Sequence, residues 1–427
     1  MIKNMIKKIL VWEAKVALAR HKPRIIGITG SVGKSSAKGL IACVLDKRFN
    51  VRESPKSYNS EIGLALSILG LPTYYNNFWG WPMNIIKGFF EIWNKKFPEI
   101  LVLEMGVDRP KDFDRLLEIA RPDIAVVTAI GEIPVHVEFF SGPEEIAQEK
   151  SKIIKYLPAD GHAILNFDDD VVWSMHEKTK AHIVSYGFGE HADFLASNYK
   201  ATIEGLTFKM DHEGSSVPAN LKKVLGKHNV YPALSAFAVG KIFGLNLIDI
   251  SEYLSLCEFP PGRMRLLEGI KESRVIDDSY NSSPIASHAA LDTLGELEAN
   301  LPDGKAGRKI VVFGDMLEIG KYTIEAHRAM GEKVSKIADY LFTVGPRSKF
   351  VSEEALELGM PKENIFNFST SKEATQTIKN LIEEGDLILG KGSQGMRMER
   401  IVEEIMAHPE DAEKLLVRQD EYWKKKE

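Results

Sequence analysis

The chain has 427 residues, too many for one ordinary core, which predicts two or three domains. Its 44% hydrophobic and 27% charged residues are those of a globular protein, and a net charge of −5 argues against a nucleic-acid-binding surface. Only two cysteines occur, Cys43 and Cys257, far apart in sequence and without metal-ligand spacing, which argues against a disulfide framework or a zinc site and fits a reducing cytoplasm.

Residues 1–22 interleave Lys3, Lys7, Lys8, Lys15, Arg20 and Lys22 with Ile2, Met5, Ile6, Ile9, Leu10 and Val11. The apolar run is too short and too interrupted for a signal peptide or a membrane span. It predicts an amphipathic basic helix over residues 1–23, packed on the domain that follows. Such a helix also has the composition for lying on a membrane surface.

From Arg24 the pattern becomes strand, glycine loop, helix. Arg24 to Ile28 is a short β-branched run, and Ser35 to Leu45 reads as the helix after it. Ile100 to Leu103 and Ile124 to Val127 are further buried strands separated by helical segments, so a parallel sheet with crossover helices is expected. Residues 161–225 hold short strand candidates and read as a β-rich extension of this domain. Val230 to Phe243 makes an apolar helix, and Pro260-Pro261-Gly262 is a hinge. Beyond it, strands at Lys309 to Phe313, Tyr340 to Thr343 and Asp386 to Leu389 alternate with helices. The fold class is α/β: a central P-loop-type parallel-sheet ATPase domain at 24–260, then a smaller Rossmann-like α/β domain at 261–427.

The strongest local signal is Gly27 to Ser36. Gly30, Ser31 and Gly33 let backbone N–H groups turn inward around phosphate oxygens, and the helix N-terminus at Ser35 and Ser36 adds positive potential. Lys34 would reach the β- and γ-phosphates, and Ser35 would ligate Mg²⁺. The common pattern has glycine where this chain has Ile28, yet strand before and helix after are both present. No dinucleotide fingerprint follows any strand, which sets hydride transfer aside.

Thr29 to Ser36 resembles the phosphate loop of the Mur ligase family, and further motifs follow in family order over about residues 24–402. Ser57 to Gly63, with Asn59 and Ser60, resembles the family's Asn-rich segment. Leu103-Glu104-Met105-Gly106 is similar to its metal-binding glutamate. His136 is similar to its histidine ligand, and Lys150 to a lysine carbamylated in many members. Gly226 to Asn229 resembles the adenine-side motif, through His228 and Asn229, and Pro261-Gly262-Arg263 the entry to the C-terminal domain. Asp277 to Pro284, Gly314 to Gly320 and Lys391 to Glu399 are similar to the branch that adds D-alanyl-D-alanine to a UDP-muramoyl tripeptide.

The resemblance implies an ATP- and Mg²⁺-dependent amide ligase working through an acyl phosphate. Lys34, His136, Lys150, Asp278 and Asn281 would be catalytic, and Ser35, Glu104, His136 and carbamylated Lys150 would hold metal. Arg263 and Asp278 would join the phosphate loop in holding nucleotide. Asn59, Ser60, Tyr280, Asn281, Lys391 and Ser393 would meet the carboxylate and amine substrates. Three departures from the family pattern stand out: only about 23 residues precede the loop where a UDP-sugar-binding module is usual, Pro232 replaces an asparagine, and Gln394 stands where arginine is frequent. Residues 73–98 (Tyr74, Tyr75, Phe78, Trp79, Trp81, Phe89, Phe90, Trp93, Phe97) are unusually aromatic and, with residues 1–22, are candidates for peripheral membrane contact. Two rival readings stay open: a ligase of this architecture joining another carboxylate and amine, and a non-catalytic ATP-binding scaffold.

Overall fold

A computed structural model describes residues 2–55, 58–74, 80–299 and 307–425. Ser57, Tyr75, Phe78 and Trp79 of the sequence motifs lie outside the described residues. The strands of the first half are β1 (Arg24–Thr29), β2 (Val51–Glu53), β3 (Ile100–Glu104), β4 (Ile124–Val127), β5 (His162–Asn166), β6 (His182–Gly187), β7 (Phe194–Thr202), β8 (Gly205–His212) and β9 (Ser215–Lys222). They form one sheet in the order β2-β3-β1-β4-β5-β6-β7-β8-β9. Pairing is parallel from β2 to β7 and antiparallel from β7 to β9, so the β-rich stretch extends the first sheet.

Its helices include α1 (Ile2–His21), α2 (Lys34–Leu45), α3 (Glu61–Leu69), α4 (Gly80–Glu91), α5 (Asp112–Ile119) and α6 (Pro143–Lys155). Alternate strand residues face opposite layers, as the period of two demands. Ile26, Ile28, Val102 and Val126 pack toward α2 and the helix Val230–Ile242. Ile25, Leu101, Leu103 and Val127 pack toward α1, α3, α5 and α6. The amphipathic N-terminal segment is therefore a packed helix: Leu10, Ala14 and Ala17 are fully buried, Leu10 alone contributing about 2 kcal/mol.

The expectation of no disulfide is corrected. α2 lies beside the helix Leu247–Leu256, which brings Cys43 and Cys257 to a Cα separation of 6.0 Å across 214 residues of sequence, and they form a disulfide. Sequence distance hid this pairing because the two helices meet only through the tertiary fold.

The second sheet holds β10 (Arg265–Glu268), β11 (Arg274–Asp278), β12 (Lys309–Gly314), β13 (Tyr340–Val344), β14 (Ile365–Phe368) and β15 (Leu387–Lys391). Its order is β10-β11-β15-β12-β13-β14, with only the β10–β11 pair antiparallel. Helices cover both faces. Val311, Phe313 and Leu389 point into one core, and Ile310, Val312 and Ile388 into the other.

Candidate active site

In the first sheet β1 lies between β3 and β4, so chain connections leave it in opposite directions and open a crevice at the strand C-termini. The register brings Ile28 opposite Glu104 and Thr29 opposite Val127, which places the loop after β1 beside the end of β3. Two glycines make that loop. Gly30 has φ 144°, and a Cβ there would collide with Thr128 Oγ1. Gly33 caps α2 with φ 86° and no side-chain hydrogen bond, leaving the first-turn amides of the helix to other partners. The amides of Ser31 and Val32 are already committed, donating to Ala129 O at 2.7 and 3.1 Å.

Lys34 folds back over the loop, its Nζ donating to Gly30 O at 2.9 Å and Ser31 O at 3.3 Å. Burial lowers its pKa, the Glu104 carboxylate opposes that shift, and Arg263 adds to it. Ser35 Oγ donates to Glu104 Oε2 at 2.9 Å, both residues being buried. Lys150, on α6, sends Nζ to Gly30 O at 3.0 Å. Burial, then the nearby Lys34 charge, hold its pKa well below the usual lysine value. Lys152, two residues on, instead pairs with Asp114 and Glu149 at 2.7 and 2.8 Å and takes no part in the cleft lining. Ser60 Oγ caps α3 by accepting from Gly63 N, and Asn59 O accepts from Gly106 N at 3.2 Å.

The facing wall comes from the second sheet. Asp278, at the end of β11, pairs with Lys391 at the end of β15 at 2.6 Å, and both are buried. Lys391 Nζ also donates to Asn281 O at 3.0 Å, and Asn281 Oδ1 accepts from Gln394 N at 3.3 Å. Ser393 Oγ accepts from Leu317 N at 2.8 Å. Arg263 stacks on the Tyr280 ring at 3.8 Å and reaches Ser35 Oγ at 3.4 Å, bridging the walls.

His136 bridges them too. It has φ 71°, and its ring nitrogens lie 2.7 Å from Glu318 Oε2 and 3.4 Å from Asp108 Oδ1. The hydrogen bond from His136 lowers the Glu318 pKa. No group of three or more His, Cys, Asp or Glu side chains poised for a metal occurs among the described residues. The Ser35–Glu104 oxygen pair does fit a hard cation such as Mg²⁺, which takes one or two protein oxygens and fills its sphere with phosphate and water.

Together the walls enclose a cleft of about 1840 Å³ lined by Gly30, Lys34, Ser35, Asn59, Ser60, Glu104, His136, Lys150, Arg263, Tyr280, Asn281 and Ser393. Other predicted residues stand outside that lining. Asp278 and Lys391 lie behind it and hold the 279–283 loop. His228 is half-buried outside the lining, its imidazole pushed down to about 4 by desolvation, with Asp278, Lys391 and Arg263 as charged neighbours. Asn229 does not cap its helix through its side chain; its amide donates to Leu225 O at 2.7 Å.

Residues that sequence reasoning missed include Asp108 and Glu318 around His136, and Lys38, whose buried ammonium donates to Ser54 O at 2.5 Å beside the loop. Arg418 was also missed. It clamps the site loop by donating to Tyr280 O at 3.0 Å and Glu399 Oε2 at 2.8 Å. Glu318 lies within the Gly314 to Gly320 motif and was recoverable, whereas nothing local marks Arg418.

Comparison with known proteins accords with this architecture. The family model described as Mur ligase middle domain matches residues 28–240, and that described as Mur ligase, glutamate ligase domain, matches 262–394. The UDP-N-acetylmuramoyl-tripeptide–D-alanyl-D-alanine ligase of Bacillus subtilis (strain 168) is 33% identical over 401 residues, covering 93% of this chain and 79% of its own length. Two solved structures share the fold. MurF from Acinetobacter baumannii superposes with TM-score 0.75 at 22% identity, over 93% of this chain and 79% of its own. MurF from Thermotoga maritima, in complex with ADP, superposes with TM-score 0.74 at 24% identity, over 93% and 83%. With both family models matched in series and a relative one-third identical over 93% of this chain, the chain belongs to the Mur ligase family.

Proposed function

We propose that the chain uses ATP to join D-alanyl-D-alanine to the terminal carboxylate of a UDP-N-acetylmuramoyl tripeptide; relatives are named as UDP-N-acetylmuramoyl-tripeptide–D-alanyl-D-alanine ligases. The observation that carries this reading is one cleft with a phosphate loop on one wall and the Asn281–Ser393 wall opposite, bridged by Arg263. We assign residues 24–260 to nucleotide binding and 261–427 to closing over the reacting groups, with Pro260-Pro261-Gly262 as the hinge.

A carboxylate is too poor an electrophile to acylate an amine directly. A carboxylate oxygen therefore attacks the γ-phosphorus, the bond to the ADP oxygen breaks, and an acyl phosphate forms. The amine nitrogen then attacks the carbonyl carbon, its proton is lost, and the tetrahedral intermediate collapses with expulsion of phosphate. Lys34 exchanges its loop carbonyls for β- and γ-phosphate oxygens, and first-turn amides of α2 hold the same group. Arg263 neutralises charge on the transferred phosphoryl group from the opposite wall. Asn281, anchored by Lys391, orients the acyl group.

Ser35 and Glu104 would hold Mg²⁺, which when bound neutralises phosphate charge. His136 and Lys150 complete the polar floor. The depressed pKa of Lys150 favours the neutral amine, the form that reacts with carbon dioxide to give the carbamate we propose for it. Gln394, a neutral amide, favours one variation: an amine substrate other than D-alanyl-D-alanine on the same machinery.

Phosphate release with ATP tests the assignment across a panel of carboxylates and amines. Turnover that requires UDP-N-acetylmuramoyl tripeptide and D-alanyl-D-alanine together supports it. Turnover only with another pair reassigns the substrates, and none with any pair returns the scaffold reading.

A further inference from the structure

The surface most at odds with an ordinary aqueous exterior lies away from the cleft. On α4 and just beyond it, Met83, Ile86, Phe89, Phe90 and Trp93 are 47–68% exposed. α1 runs beside α4 in the same direction, since Glu13 meets Gly88 and the Arg20 guanidinium covers the Trp93 ring at 4.1 Å. The outward stripe of α1 is Met5, Lys8, Trp12 and Lys15, at helical spacing, with Trp12 56% exposed. A stable monomer seldom leaves so many large apolar side chains together in water.

Charge decides what covers them. In a chain of net charge −5, this face is cationic: Lys8, Lys15, Arg20 and Lys87 are exposed. The only acid on α1, Glu13, is buried, and the only acid on α4, Glu91, is paired with Arg52 at 2.5 Å. Tryptophan and phenylalanine flanked by lysine suit the boundary between lipid headgroups and acyl chains. No described helix is long and apolar enough to cross a membrane. None of the residues lining the cleft belongs to α1 or α4, so contact through this face leaves the cleft open.

We propose that the α1–α4 face docks on an anionic lipid bilayer, the aromatic side chains entering the headgroup boundary and the lysines pairing with lipid phosphates. The test is co-sedimentation of the full chain with vesicles of phosphatidylcholine alone and of phosphatidylcholine mixed with phosphatidylglycerol. Binding is expected only to the mixed vesicles and is expected to weaken with salt. Lys8→Glu/Lys15→Glu/Lys87→Glu should weaken it about a hundredfold or more. Phe89→Ser/Phe90→Ser/Trp93→Ser should abolish it while leaving the circular dichroism spectrum unchanged. Absence of binding to mixed vesicles overturns the proposal, as does binding indifferent to headgroup charge or retained in either variant. Sedimentation equilibrium showing a dimer without lipid that the aromatic variant dissociates also overturns it, assigning the face to a second copy of the chain.

Discussion

The two walls of the cleft are built in different ways. The first takes its phosphate loop from one unbroken stretch, Gly30 to Ser35, with Glu104 brought alongside by the β1–β3 register. Its geometry follows from local backbone: two positive-φ glycines and a helix start. The second is gathered from residues near 263, 281, 318 and 393, and its loop is held from behind by the buried Asp278–Lys391 pair and by Arg418. A wall made locally can lose a side chain and keep its shape. A wall made from distant pieces depends on the interactions that gather them.

That contrast predicts which changes damage folding and which damage chemistry alone. Lys391→Met leaves the Asp278 carboxylate buried without its cation, and should lower stability by about 3–5 kcal/mol in a denaturant melt, with activity falling alongside. Pairing it with Asp278→Asn should recover much of the stability and little of the activity. If the single variant melts like the parent, the second wall does not depend on this pair.

On the first wall, Lys34→Ala should reduce ATP-dependent phosphate release about a thousandfold, roughly 4 kcal/mol of transition-state stabilisation, with an unchanged melting curve. A large loss of stability would show that the loop is not self-supporting. Within residues 24–260, Cys43→Ser/Cys257→Ser should cost about 2–4 kcal/mol in the same melt, because the bridge spans a sequence separation of 214 residues and ties α2 to the segment leading into the hinge.

The smallest effect lies outside both walls. Glu13 is buried against α4, with Oε2 unpartnered among the described residues, and burial raises its carboxyl to about 7. Desolvation opposes its ionisation in the folded state, so its contribution to stability is full below about pH 4.5 and is lost as pH rises through 7. Glu13→Gln should therefore add about 1–2 kcal/mol at pH 8 and progressively less toward pH 5, read from melts across that range.

What the sequence disclosed follows the same division. Gly30, Gly33, Lys34 and Ser35 were legible because their chemistry and their spacing lie in one segment, and Glu104 because it ends a strand of apolar residues. Parallel strands and the two sheets followed from alternating apolar runs and helices. The Cys43–Cys257 bridge, the Asp108 contact to His136, and the Arg418 clamp were not legible. Each depends on elements that meet only after the fold has formed. His228 lies outside the cleft lining and is half-buried, a setting that its motif alone did not disclose.

In the proposed reaction the two walls together activate a carboxylate by phosphorylation. The most direct test supplies UDP-N-acetylmuramoyl tripeptide labelled with oxygen-18 in its terminal carboxylate, together with ATP and D-alanyl-D-alanine, and weighs the released phosphate by mass spectrometry. Transfer of a single carboxylate oxygen into each phosphate is the predicted result. Amide product accompanied by unlabelled phosphate would contradict the acyl phosphate, and with it the phosphoryl-transfer roles of Lys34 and Arg263.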